Sequence, residues 1–424
     1  LKKVIVDIIK LVNGGQGLGY YNGKPVFAWN VLPGETVAIR TTKSKKDYLE
    51  GVATHIFKPS AERIAPEDGH YLSCSPWQIM TVDCENRLKV EIAKETFKKL
   101  GDVAFADLAI ISDQTVFGYR NKIKYRFTAG ENGKIAFAFY ERGSRSLVPL
   151  DECLLAKANI NKVSKEILDW LNGEKFACRD LDNLTLRENS KGQVVASLFV
   201  KEKDFKPVSE PPISDIFTGF QIYLLNSSSI LPKAPRLLHS FGDDFIVERI
   251  AGKNLKCGPL SFFQVNVDVF EKALSRIKSY IEDGAEIVDF YSGVGSIGIA
   301  VSGKVKSCVL VESDIDASRY ASANIESNGL KNFESHSESS ENMLLEIKKS
   351  KTIIFDPPRS GLHPKIIDRL LEVLPSKIIY LSCDIATIAR DIKMLRQQYE
   401  VTFCELYNFF PRTPHIESLV ILER

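Results

Sequence analysis

The residues best suited to chemistry gather in the last third of the chain. Cys383 stands between Ser382 and Asp384, where the apolar run Ile378–Leu381 gives way to a helical pattern carrying Thr387, Arg390 and Asp391. A thiol at a strand exit is accessible, and the N-terminus of the following helix favours its thiolate. The plain alternative is a buried cysteine that only packs. Asp356-Pro-Pro-Arg-Ser-Gly361 ends another apolar run. Its two prolines remove backbone donors and stiffen the loop, so Asp356 would be held rigidly. An ordinary strand-ending turn accounts for the same residues without function. The turn Asn408-Phe-Phe-Pro-Arg-Thr-Pro-His-Ile-Glu417 presents His415 and Glu417, a pair equally at home on a functionless edge strand.

A second group precedes these. Asp289-Phe-Tyr-Ser-Gly-Val-Gly-Ser-Ile-Gly298 places glycines at 293, 295 and 298, with Glu312 closing the next strand. Glycines at this spacing let a ligand approach the backbone, and the acid can accept ribose hydroxyls. Nicotinamide, flavin and adenosylmethionine enzymes all share this device. Asp289, ahead of the glycines, leans towards adenosylmethionine, whose ammonium group needs an anion nearby.

Elements must position these residues. From Leu260 onward strand and helix patterns alternate. A helix over Val267–Ile281 has apolar residues spaced three and four apart and ends at Gly284. Strands at 286–291, 306–312, 351–356 and 377–383 follow, with helices at 296–301, 315–328, 364–374 and 385–398 between and after them. Such alternation means βαβ units on a parallel sheet. Two last strands, 401–410 and 417–423, would pair antiparallel. Residues 1–58 read instead as a small barrel: strands at 3–11, 25–29, 35–41 and 50–57, with a Gly-rich loop at 13–19. This segment carries nine Lys and Arg against four acids, a solvated face or a surface for RNA backbone. Between these ends, Glu85–Leu100 reads as helix and the stretch from Val116 as strands and turns. There Arg120, Lys122, Lys124 and Arg126 alternate with Ile123, Tyr125 and Phe127, so all four cations would share one face. A polyanion would stabilise that face; exposed-strand lysine usage is the alternative.

Composition bounds the choices. The chain has 424 residues, 44% hydrophobic and 26% charged, with a formal net charge of +2. These values exclude collagen-like, disordered and disulfide-scaffold classes. No apolar run approaches the roughly 18 residues of a membrane span, and no secretory signal is read at the start. Eight dispersed cysteines without a CxxC pair suit reduced thiols and a cytoplasmic setting.

Taken together, the motifs resemble the RNA uracil-C5 methyltransferase family. Ser-Phe-Phe-Gln264-Val-Asn, the Asp289–Gly295 turn, DPPRSG, YLSCD followed by TIARD, and FPRTPHIE match its pattern in order and spacing. The resemblance implies an α/β multidomain chain with three parts. These are a TRAM-like, OB-like barrel (1–58), a central α+β domain that contacts RNA (59–255) and a Rossmann-like class I methyltransferase domain (256–424). Within the central part, 91–115 would pack on the catalytic domain. Gly118-Tyr-Arg-Asn-Lys122 looks like the family's central RNA segment. The resemblance further implies Cys383 as nucleophile and Glu417 as general base. Gln264, Tyr291, Glu312 and Asp356, with Ser296 and Glu338 aligned more loosely, would line the S-adenosyl-L-methionine site. The turn departs from the family pattern at Asn408, where Asp is common, and Arg412, where Gln or His is expected.

Uracil carbon 5 is a weak nucleophile. A thiolate adding to carbon 6 places charge on carbon 5, which can then accept a methyl group; a base must afterwards remove the carbon-5 proton. The target base has to be unstacked for both faces to be reached. Many family members carry a [4Fe–4S] cluster on four cysteines. Here Cys74, Cys84 and Cys153 supply at most three candidates, so no cluster and no metal are expected. The expected partner is structured RNA, ribosomal RNA of the large subunit ahead of the transfer-RNA T-loop, with no membrane and a monomeric chain. The competing readings are an NAD-linked oxidoreductase, which leaves Cys383, Glu417 and the barrel unused, and a non-catalytic RNA-binding protein.

Overall fold

The first strand explains how the barrel forms. In Val4–Leu11, Val4, Val6, Ile8 and Leu11 are buried, while Ile5, Asp7 and Ile9 face out. In this computed structural model, which describes residues 4–174, 176–225 and 235–424, that strand pairs antiparallel with Thr36–Ser44, Val4 opposite Ile39. Gly17–Tyr21, Lys24–Trp29 and Leu49–Lys58 complete a closed five-stranded barrel. Closure leaves no edge for unwanted pairing. Lys3, the expected start of the first strand, lies outside the described residues. The Gly-rich loop expected at 13–19 is shorter, because Gly17 and Gly19 are strand residues. A Cβ on Gly17 would lie 2.3 Å from Val31 Cγ2, so the strand crosses there only as glycine.

The chain folds into two compact units that interleave along the sequence: residues up to Val116 with Tyr140–Val148 and Phe355–Arg424, and Phe117–Phe139 with Pro149–Ile354. In the first unit the barrel is joined by helix Val82–Thr96 and the C-terminal elements. Strand Lys377–Ser382 pairs antiparallel with Glu417–Glu423, which pairs antiparallel with Glu400–Tyr407. The short strand Ile110–Ile111 adds to the last in parallel, Tyr407 opposite Ile111. Residues 97–102 meet helix Ile385–Leu395, with Lys393 Nζ 2.7 Å from Asp102 Oδ2.

The second unit has a sheet in the order Arg236–Gly242, Phe217–Leu224, Val194–Val200, Leu181–Glu188, Lys122–Ala129, Ile135–Tyr140. Val194–Val200 is buried at every residue, as a strand covered on both faces must be. Helix Ala158–Gly173 buries Ile160, Val163, Ile167 and Leu171. Farther on, Ala285–Phe290, Val305–Glu312 and Phe333–Ser337 run parallel, with helices Ser296–Ala300 and Ile315–Ser327 between them. The expected barrel, α+β and parallel α/β architectures are all present.

Candidate active site

Strand Lys377–Ser382 ends one residue before Cys383, and helix Ile385–Leu395 starts at once. Asp384 caps that helix, its Oδ1 accepting the N–H groups of Ala386 and Thr387 at 3.0 Å each. The thiol is half-buried. Burial first, then the carboxylates of Glu417 and Asp356, push it up to about 12, with Arg359 pulling the other way. The expectation that the helix N-terminus would favour the thiolate is therefore not met. Asp384 already occupies the helix donors, and three carboxylates outweigh the dipole.

Glu417 opens the last strand and is 1% exposed. Burial first, then Asp356, raises its carboxyl well above the usual carboxylate range, and Arg359 opposes the rise. Its Oε1 has no hydrogen-bond partner among the described residues. A buried oxygen left unsatisfied is costly, and such cost collects at functional sites. Arg359, on the exposed side, reaches His415 Nδ1 at 3.3 Å. Cys383, Asp384, Arg359 and His415 line one cavity of about 260 Å³, together with Asn13 and Gly14 of the barrel and Arg142. The barrel loop comes this close because residue 15 is glycine: a Cβ there would lie 2.2 Å from Pro414 Cβ.

Two sets of contacts hold the loops. Buried Asp391 accepts the Tyr380 hydroxyl at 2.8 Å, the Leu362 N–H at 2.9 Å and the Arg390 guanidinium. Arg390 also donates to Ser360 O at 3.0 Å. Arg390 and Asp391 thus anchor the loop after Asp356. The turn before Glu417 rests on a buried ion pair, Lys89 Nζ 2.8 Å from Glu85 Oε1, both fully covered. Lys89 also donates to Asn408 Oδ1 at 2.7 Å, Asn408 Nδ2 donates to Glu85 at 3.0 Å, and the Arg412 N–H donates to Glu85 Oε2 at 3.0 Å. Arg412 Nη1 donates to Met80 O at 2.6 Å. The two departures from the family pattern belong to this network. An aspartate at 408 has no donor for Glu85 and would set two carboxylates together. Sequence reasoning missed Glu85 and Lys89; spaced four apart on a helix, they read as an ordinary surface pair.

The nucleotide-type turn lies in the other unit. Tyr291 adopts a left-handed φ of 61°, unusual for a residue with a side chain. Glu312 Oε2 accepts the Gly293 N–H at 2.9 Å, and its Oε1 accepts the Asp314 N–H at 2.7 Å. Buried Asp289 accepts the Gly298 N–H at 2.8 Å. Gln264 is buried, and its carbonyl receives Asn121 Nδ2 at 3.1 Å. Ser296 begins the following helix; Glu338 is exposed beyond Phe333–Ser337. This donor set suits adenosylmethionine: an oriented carboxylate at a strand end for ribose hydroxyls and a glycine turn for close approach. Asp356 folds with the first unit, where it acts on Cys383 and Glu417.

The four alternating cations have separate fates. Ile123, Tyr125 and Phe127 are buried as expected. Lys122, however, donates to the carbonyls of Leu260 and Ser261 at 3.1 and 3.2 Å, and burial drives its pKa well down. Arg126 pairs with Asp182 at 2.5 Å. Arg120 lies over the Tyr119 ring, and of the four only Lys124 is exposed rather than half-buried. The row is therefore no face of four solvent cations, because neighbouring carbonyls and an acid claim two of them. No disulfide joins the eight cysteines. Cys84 sits 3.7 Å from Arg87 Nη2, its thiol pushed up to about 11 chiefly by burial.

Known proteins share this organisation. Residues 89–424 match the tRNA (uracil-5-)-methyltransferase family model, and residues 2–54 match the TRAM domain. A protein of Fusobacterium nucleatum named as an RNA methyltransferase is 30% identical, over 99% of this chain and 95% of its own. One from Thermotoga maritima, similarly named, is 27% identical over 98% of both. The solved Pyrococcus abyssi tRNA (uracil-54, C5)-methyltransferase, in complex with S-adenosyl-L-homocysteine, superposes with a TM-score of 0.76. It is 26% identical, over 98% of this chain and 100% of that one.

Proposed function

Since the chain belongs to the tRNA (uracil-5-)-methyltransferase family, an adenosylmethionine-dependent family of RNA methyltransferases, we propose that it methylates carbon 5 of one uridine in a structured RNA through a Cys383 adduct. The observation that carries this reading is the pair formed by Cys383 and Glu417. A thiol at a strand exit stands beside a fully buried carboxyl whose Oε1 lacks a partner. Bound adenosylmethionine supplies an electrophilic methyl group. Cys383 would release its proton to solvent and its sulfur would add to carbon 6 of the uracil, the carbon 5–carbon 6 π pair shifting to leave carbon 5 electron-rich. Once carbon 5 has taken the methyl, with adenosylhomocysteine as the leaving group, Glu417 in its ionised form takes the remaining proton there, and the carbon–sulfur bond breaks to release Cys383 as thiolate. A carboxylate kept from water and pushed upward in pKa is a stronger base than a solvated one. Asp356 acts through charge on both groups, and Arg359 opposes it.

Glu312, Tyr291, Gln264 and Ser296 would hold the cofactor, with Glu338 at the margin. Lys124 and Arg120, with the barrel, would meet RNA backbone. Large-subunit ribosomal RNA is the first substrate reading. The second, the T-loop of transfer RNA, is favoured by the likeness to a tRNA enzyme along nearly the whole chain, barrel included. No described helix is long and apolar enough to cross a membrane. Mapping 5-methyluridine in ribosomal and transfer RNA from cells with and without the gene tests this. One uridine should lose its methyl group, and the class of RNA it sits in decides between the two. An unchanged map overturns the proposal.

A further inference from the structure

We infer that Arg142 and Arg359 form a phosphodiester site on the wall of the Cys383 cavity, holding the RNA backbone next to the target uridine. The inference rests on the RNA-methylating reading, adds Arg142, which none of the sequence motifs contains, and gives a role to Arg359 of the DPPRSG motif. Arg142 lies on a tight turn in which Glu141 accepts the Ser144 hydroxyl at 2.7 Å, and the Glu141 N–H meets Ser146 O at 2.8 Å. The turn is seated on the barrel. A Cβ on Gly143 would lie 2.9 Å from Thr42 Cγ2, and Arg40 reaches Glu141 at 3.5 Å.

The Arg142 guanidinium is fixed on two sides. It stacks on the Trp29 ring at 4.1 Å from the centroid, and its Nε donates to Leu72 O at 2.7 Å. Neither Nη1 nor Nη2 has a partner among the described residues. Burial has already pulled its pKa down. A half-buried cation without a carboxylate is costly, and an anion arriving at its open edge offsets that cost. Arg359 lines the same cavity, and its hydrogen-bond partner among the described residues is the His415 imidazole. Two forked guanidiniums on this wall, facing a lining that also holds Asp384, match a phosphate, which accepts paired N–H bonds. Because Trp29 and Leu72 preset the Arg142 plane, little side-chain entropy is lost on binding. A chain that inserts a uracil towards Cys383 must bring its own phosphates to this rim.

The probe is the trinucleotide UpUpU, compared with an analogue whose linkages are neutral methylphosphonates, both titrated by calorimetry. Arg142→Gln should weaken UpUpU about tenfold, the scale of one charge-assisted contact. The same change should leave the neutral analogue unaffected. Arg142→Lys should retain part of the affinity, and adenosylhomocysteine should bind all three proteins alike, which certifies their folding. Equal losses for both trinucleotides, or none for either, overturn the inference. Inorganic phosphate binding that Arg142→Gln abolishes, with UpUpU untouched, also overturns it by making this a free-anion site. Failure of the methylation reading shows separately, as absence of 5-methyluridine.

Discussion

The cavity around Cys383 and the turn at 289–298 are built by opposite means. In the turn, acids are satisfied by backbone donors: Asp289 holds the Gly298 N–H, and Glu312 those of Gly293 and Asp314. Around Cys383, burial and like charge push both the thiol and the Glu417 carboxyl towards their neutral forms, and one carboxyl oxygen is left without a partner. The contrast is the one the proposed roles of the two regions would require. A cofactor that arrives with its reactive group ready needs shape and fixed dipoles. Groups that must gain and lose protons need an environment that keeps both states within reach.

The sharpest break in the comparison is covalent. Cys383→Ala should abolish both turnover and any RNA adduct, whereas Glu417→Gln should trap methylated RNA on Cys383. A denaturing gel after incubation with RNA and adenosylmethionine separates the two, and full turnover by Cys383→Ala would refute the adduct. Next in size is the support beneath Glu417. Lys89→Met strands the Glu85 carboxylate in the interior and should cost about 3–5 kcal/mol in denaturant unfolding. Pairing it with Glu85→Gln should recover much of that loss; if both variants melt like the parent, the ion pair does not hold the turn.

On the other side, Glu312→Ala should weaken adenosylmethionine roughly tenfold by calorimetry, with two oriented oxygens lost, and lower thermal stability modestly, because the Gly293 and Asp314 N–H groups lose their acceptor. Unchanged affinity would remove Glu312 from the cofactor site. The effect that starts smallest, near zero in acid, is the pH dependence set by Glu417. Below pH 4.5, its ordinary value, folded and unfolded chains are both protonated at this carboxyl. As pH rises, the unfolded chain releases this proton while the folded chain keeps it, so stability falls until the folded-state carboxyl also ionises. Glu417→Gln lacks this loss. Its stability advantage over the parent should grow from near zero in acid by up to about 1.4 kcal/mol per pH unit, as melting curves across pH would show. A constant difference would mean that the carboxyl is not raised.

Much of the α/β part was legible because its signals are local. Apolar residues three and four apart predict Val267–Ile281 as helix, and the fold has Val267–Ser279. The strand exits at Glu312, Asp356 and Cys383 also lie where alternation places them. Where local signals mislead, a tertiary neighbour is responsible. Lys122 looks like a solvent cation until the carbonyls of 260–261 reach it. Gly17 and Gly19 look like loop until a crossing strand requires their missing side chains.

By itself, then, the sequence determined the motifs, their order and the periodicities that make strands and helices, because each is written within a few neighbouring residues. Tertiary structure alone decided the charge state and support of the site. Glu85 and Lys89 meet Asn408 across more than 300 residues, and Arg142 meets Trp29 only because one turn seats on the barrel. A pKa depends on burial and on every charge within a few ångströms, whatever its place in the chain. That is why Cys383 could be found in the sequence, whereas its reluctance to ionise could not.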